Sequence, residues 1–163
     1  MQARPGLGRG VKSGQATWRG RLIASVRANL GTAMPPRPPI EYRDASPQVR
    51  AVFDDIKRTR QVADVNNFWK YLAHDPAALE RTWTSIKEIM APGALDALTK
   101  EMIYVAVSVT NGCGYCIASH GAAARKAGMS EAMFGELMAV VGMANETNRL
   151  ANGYRVPIDP AFE

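Results

Sequence analysis

The sequence predicts an all-α fold, built around an antiparallel helix hairpin and oligomeric. Apolar residues recur at three- and four-residue spacing from residue 49 onward, and three of the segments they mark open on capping residues at Ser46, Asp75 and Ser130. No succession of strands is present from which a sheet could be assembled. The apolar helix faces also exceed what one body of about 130 residues can cover, which predicts a homo-oligomer, a trimer or a hexamer. The length of 163 residues suits a single domain with a hydrophobic core.

Residues 1–33 form a basic leader, with six Arg or Lys and no Asp or Glu. Gly, Pro and Arg dominate its start, so disorder is expected to about residue 16. Trp18, Leu22, Val26 and Leu30, with Ile23 beside them, then allow a short amphipathic helix. The leader also has the composition of an organelle transit peptide, but the preferred reading is an idle tail or a start-site artefact with translation beginning at Met34, ahead of a docking helix and of targeting. Residues 34–163 are the expected helical domain. There 14 bases face 15 acids, so the net charge of +5 belongs to the leader and not to a binding face. Nucleic acid and membrane are therefore not expected partners. Without a long apolar run or a secretory h-region, the expected location is cytoplasmic.

Pro35, Pro36, Pro38 and Pro39 dictate an extended arm. Ser46-Pro47 is an N-cap with proline at the first helical position, and Val49, Val52, Phe53 and Ile56 form one apolar stripe behind it. A second helical piece is expected over residues 66–74, with Phe68, Trp69 and Leu72 as its buried face and His74 in a structural role at its end. Asp75-Pro76 opens a third, through Leu79, Trp83, Ile86 and Met90, which Pro92-Gly93 ends.

From Leu95 the pattern is ambiguous, because residues 104–110 alternate and are β-branched as a strand would be. A strand running into Cys113-Gly-Tyr-Cys116 would resemble a glutaredoxin. Helix is the better reading, since the apolar run begins upstream at Leu95 and Leu98 with helical spacing and no turn residue intervenes. Asn111-Gly112 then turns the chain into a helix over residues 115–127, which Gly128 stops. Ser130 caps a last helix with Met133, Phe134, Leu137, Val140, Val141 and Ala144 as its core stripe, running on to about residue 152 ahead of a tail with Pro157 and Pro160.

The candidate chemistry lies in the hairpin. Glu101 is followed by 23 residues without a formal charge, a segment expected to be buried, and Cys113, Cys116 and His120 fall inside it. Cys116 and His120 are four apart and share a helix face, while Cys113 lies one turn earlier, where the helix dipole favours a thiolate. Glu101 is about 15 Å before the turn and His120 about 12 Å after it, at about 1.5 Å per residue, so an antiparallel hairpin brings them level. A relay from Glu101 to His120 to Cys116 follows, the carboxylate orienting the imidazole and the imidazole taking the thiol proton.

The pattern Glu101-x-x-x-Val105-x-x-Ser108-x-x-Asn111-x-Cys113-x-Tyr115-Cys116-x-x-x-His120 resembles the signature of the AhpD-like alkylhydroperoxidases of the carboxymuconolactone decarboxylase superfamily. The resemblance is clear over residues 98–150, the core motif, and weaker over residues 35–97. It implies an oligomeric helical bundle in which Cys113 and Cys116 cycle between dithiol and disulfide while reducing alkyl hydroperoxides, with Glu101 and His120 assisting proton transfer. The implied partners are a peroxide and a dithiol reductant, a thioredoxin-like or lipoyl protein, and no cofactor. One departure is Tyr115, where the best-known peroxidase of the family carries a second histidine.

Other readings stand beside this one. The disulfide could report oxidation without turnover in a non-catalytic or redox-sensing scaffold, and the superfamily's lactone decarboxylases, which do not rely on a cysteine pair, are a further alternative. A zinc site would need four ligands where only Cys113, Cys116 and His120 are suitably spaced, so no metal is expected. Ser108 lies on the face of Glu101, but a helix serine ordinarily bonds its own backbone. Trp69 and Trp83 read as core or subunit contacts.

Overall fold

A computed structural model describes residues 37–162, so the expectations for the leader fall outside the described residues. Among the described residues all regular structure is helical. Helix α1, Pro47–Arg60, starts where Ser46 accepts the Val49 N–H on its Oγ at 3.3 Å, and ends at Gln61 in the left-handed region. Helix α2, Asn67–Leu72, is shorter than the expected 66–74. Helix α3, Pro76–Ile89, is capped by Asp75, whose carboxylate accepts the Ala78 N–H at 3.0 Å.

These three helices enclose one core. Val49, Val52, Phe53 and Ile56 of α1 meet Leu79 and Trp83 of α3, with Trp69 of α2 set edge-to-face on Trp83 at 5.5 Å between ring centroids. Phe68 departs from expectation: it is 40% exposed. The buried residues of this short helix are Trp69, in the core, and Lys70, which is ion-paired with Glu41 and Asp64. Phe68 lies about 100° around the helix and packs on Tyr115 instead. His74 is structural, its Nε2 lying 2.9 Å from the Pro38 carbonyl and so tying the extended arm to the body.

The ambiguous segment is helix α4, Ala97–Thr110, capped by Asp96, which accepts the Thr99 N–H at 2.8 Å. Ser108 bonds its own backbone, donating to the Tyr104 carbonyl at 2.7 Å. Gly112, at φ 69°, makes the turn where a side chain would be strained. Helix α5, Gly114–Lys126, returns antiparallel along α4, and helix α6, Glu131–Tyr154, packs on α4 in turn. Ser130 caps α6 by accepting the Met133 N–H at 3.1 Å.

Two burial expectations need correction. In the uncharged hairpin, Val105, Ser108, Gly121 and Ala124 are buried, whereas Ile103 and Val107 are about half exposed. Along α6 Val141 alone of the expected stripe is buried, and Val140 is 65% exposed. The cause is geometric: α5 and α6 cover α4 on part of its circumference, while Ile103 and Val107 border an open groove facing Ile89 and Leu95.

Candidate active site

The hairpin brings the four expected residues together. Cys113 is the N-cap of α5, where its sulfur accepts the Cys116 backbone N–H at 3.3 Å, and the two cysteines are joined as a disulfide with Cα atoms 5.3 Å apart. One turn further along α5, His120 points back across the hairpin to α4. Its Nδ1–H donates to the Glu101 carboxylate at 2.7 Å, and each of the two side chains is 17% exposed. A carboxylate on Nδ1 selects the tautomer that leaves Nε2 free to accept a proton. The Tyr104 ring lies parallel to the imidazole, 3.6 Å between centroids and 14° between planes, and prevents it from tilting away.

His120 and Cys116 line one cavity of about 70 Å³ together with Arg60, Phe68, Trp69, Tyr104 and Tyr115. This space admits a peroxide group and a few attached atoms. It adjoins a wider cleft of about 630 Å³ that shares Arg60, Ile86 and His120 and adds Glu101, Met90 and Lys126. Cys113 does not line either space. It borders a separate apolar groove of about 670 Å³ with Ile89, Leu95, Ile103 and Val107, and Cys116 and Tyr104 line that groove too. Cys116 is therefore open to both the small cavity and the groove, and Cys113 to the groove alone.

Tyr115, the departure from the motif, has a structural part: its hydroxyl oxygen accepts the Phe68 backbone N–H at 3.2 Å, joining the first turn of α5 to α2. Two residues of the site were missed in the sequence. Tyr104 had a signal, since it follows Glu101 by three and so shares its helix face. Arg60 had none, because 41 residues separate it from Glu101 and only the docking of α1 brings it to the cavity. Its guanidinium lies 5.4 Å from the centroids of both Trp69 and Trp83. Among the described residues no group of three His, Cys, Asp or Glu side chains is arranged to hold a metal ion.

A sequence model of the carboxymuconolactone decarboxylase family matches residues 76–159, which span the helices that carry the cysteines, His120 and Glu101. The chain belongs to the carboxymuconolactone decarboxylase family. Within the family it is similar to alkyl hydroperoxide reductase AhpD of Streptomyces coelicolor, 32% identical over 109 residues that make up 61% of this chain and 61% of that protein. It also resembles the crystal structure of the alkylhydroperoxidase AhpD core from Rhodospirillum rubrum, with 47% identity and a TM-score of 0.74, covering 80% of this chain and 98% of that one. The helical fold is thus AhpD-like. Among the described residues no helix is long and apolar enough to cross a membrane.

Proposed function

We propose that this protein is a thiol-dependent peroxidase that reduces alkyl hydroperoxides, with Cys116 as the attacking thiol, Cys113 as the resolving thiol, and His120 and Glu101 as the proton relay. The observation that carries the reading is the shared cavity of Cys116 and His120, with His120 bonded to Glu101 and Cys113 outside that cavity on the apolar groove. The named activity of the two similar proteins supports it.

In the reduced protein Nε2 of His120 takes the Cys116 thiol proton, and the imidazolium that forms is stabilised by Glu101. The thiolate attacks one peroxide oxygen and the O–O bond breaks. A sulfenic acid forms on Cys116, and the departing alkoxide takes the imidazolium proton to leave as alcohol. Cys113 then attacks the Cys116 sulfur. Its thiol proton joins the departing hydroxide as water, and the disulfide closes. Two electrons have passed from the dithiol to the peroxide, and an external dithiol, a thioredoxin-like or lipoyl protein, restores the pair through Cys113 on the apolar groove.

The working form is a homo-oligomer, a trimer or a multiple of one. Ile103 and Val107 of α4, Val140 and Met143 of α6, and Val156, Ile158 and Phe162 of the tail are all exposed in the single chain and together demand a cover.

A sulfenate-selective probe tests the assignment. Cys113→Ser treated with one equivalent of peroxide should label on Cys116, while Cys116→Ser should not label. Labelling of Cys113 alone would reverse the roles. If neither variant labels and the parent consumes no peroxide with any dithiol, the redox-sensing scaffold takes the place of the enzyme.

A further inference from the structure

The cleft beside the cysteine pair is unevenly charged in a way the peroxidase chemistry does not use. Three cations line it, Arg60, Lys87 and Lys126, against the single carboxylate of Glu101. Lys87 is occupied, since its ammonium donates to Asp55 at 2.8 Å. Glu101 is also occupied, by His120. Among the described residues neither Arg60 nor Lys126 has a carboxylate within ion-pair distance. Outside the described residues, 1–36 contain no Asp or Glu, and Glu163 is the one acidic side chain.

Arg60 is also fixed in place at the cleft. Its guanidinium rests against the Trp69 and Trp83 rings, both of them buried, so its position is set by the core of the domain. Burial pulls its pKa down from the usual arginine value, and the Glu101 carboxylate pulls it up. A partly desolvated cation gains more from an incoming anion than one in water does. Val62, Ile86 and Met90 add apolar surface to the same lining.

We propose that Arg60 and Lys126 form a carboxylate-binding end of the substrate cleft, and that the preferred substrates are organic hydroperoxides carrying an acid group on an apolar body. The substrate part rests on the peroxidase reading; the anion site does not. Arg60, Ile86 and His120 line both the cleft and the small cavity, so an acid group held in the cleft and a peroxide group at Cys116 and His120 share one continuous space.

The test compares the para-carboxamide and para-carboxy derivatives of cumene hydroperoxide, two peroxides of nearly equal size of which only the second is charged. For the wild-type oligomer at low ionic strength, kcat/KM for the acid should exceed that for the neutral peroxide by about tenfold, the scale of one charge-assisted hydrogen bond. Arg60→Gln should bring the ratio close to one, chiefly through KM, and Arg60→Lys should recover part of it. Lys126→Gln, on an exposed helix end, should lower the ratio as well and serves if Arg60→Gln does not fold. A wild-type ratio of one, or a ratio that survives both neutral substitutions, overturns the proposal. Independently of turnover, 4-isopropylbenzoate should change the tryptophan fluorescence of the wild type while 4-isopropylbenzamide does not. An equal response to both, or none to the acid, overturns the anion site. If the acid binds through Arg60 but neither peroxide is consumed, the anion site stands and the peroxidase reading falls.

Discussion

Replacing Glu101 by Gln removes one charge from the relay and almost nothing else. The carboxamide has the volume of the carboxylate and still offers His120 a hydrogen bond, but it fails in two respects. It accepts or donates equally well, so it no longer enforces the tautomer with Nε2 free, and it no longer places an anion against the imidazolium formed when the thiol proton is taken. The bond concerned is short, 2.7 Å, and mostly shielded, with each side chain 17% exposed. A hydrogen bond to a charged group in such a place is worth about 1.5–3 kcal/mol. At about 1.4 kcal/mol per decade, the peroxide step should slow by about ten- to a hundredfold. The melting temperature should fall by no more than about 2–4 °C, the equivalent of about 1 kcal/mol for a domain of this size. His120→Ala removes the base itself and should cost about 100-fold or more. The assay is single-turnover: prereduced protein is mixed with excess hydroperoxide and loss of free thiol is followed by rapid quenching into an alkylating agent. A Glu101→Gln rate within threefold of the parent, with the fold intact, would refute the relay.

Asp55 accepts Trp83 Nε1–H at 2.7 Å and the Lys87 ammonium at 2.8 Å, and the bonds to Lys87 and Trp83 hold its pKa below the usual 3.8. A depressed carboxylate stabilises the fold fully above its unfolded pKa and loses that contribution as pH falls through its folded one. Asp55→Asn should therefore cost about 1–2 kcal/mol in urea unfolding at pH 7, and the difference should shrink once the pH drops below about 4. Tyr115→Phe deletes the acceptor for the Phe68 N–H, and a loss of about 1 kcal/mol with faster hydrogen exchange at the start of α5 is expected. Val107→Asp puts a charge on the open face of α4, and light scattering should show the trimeric or larger parent reduced to a smaller species; a parent of monomer mass at micromolar concentration would remove the case for assembly. A chain beginning at Met34 should keep both the oligomer and the turnover, since the motif lies within residues 98–150.

The local grammar was legible throughout the described chain. Ser46, Asp75 and Ser130 announce helix starts because each has a short oxygen-bearing side chain that reaches the backbone N–H three residues on, and all three make that bond. The meeting of Glu101 with His120 also followed from counting residues on either side of Asn111-Gly112, because an antiparallel hairpin converts sequence distance from the turn into spatial register. Residues 104–110 by themselves fit strand or helix, the helical spacing of the run from Leu95 favoured helix, and the helix Ala97–Thr110, capped by Asp96, agrees. Periodicity marks which residues share a face but not what covers that face. The apolar stripes of α4 and α6 were therefore readable while their exposure in the single chain was not. Arg60 is the clearest limit: it comes to the site through the docking of α1 against Trp69 and Trp83, a long-range packing event that leaves no trace in local spacing. The sequence by itself determined the helices, their caps and the pairing across the turn, because these depend on neighbours within one or two helical turns. The tertiary structure decided which cavity each cysteine lines and the charge of the cleft, because these depend on side chains brought together from separate helices.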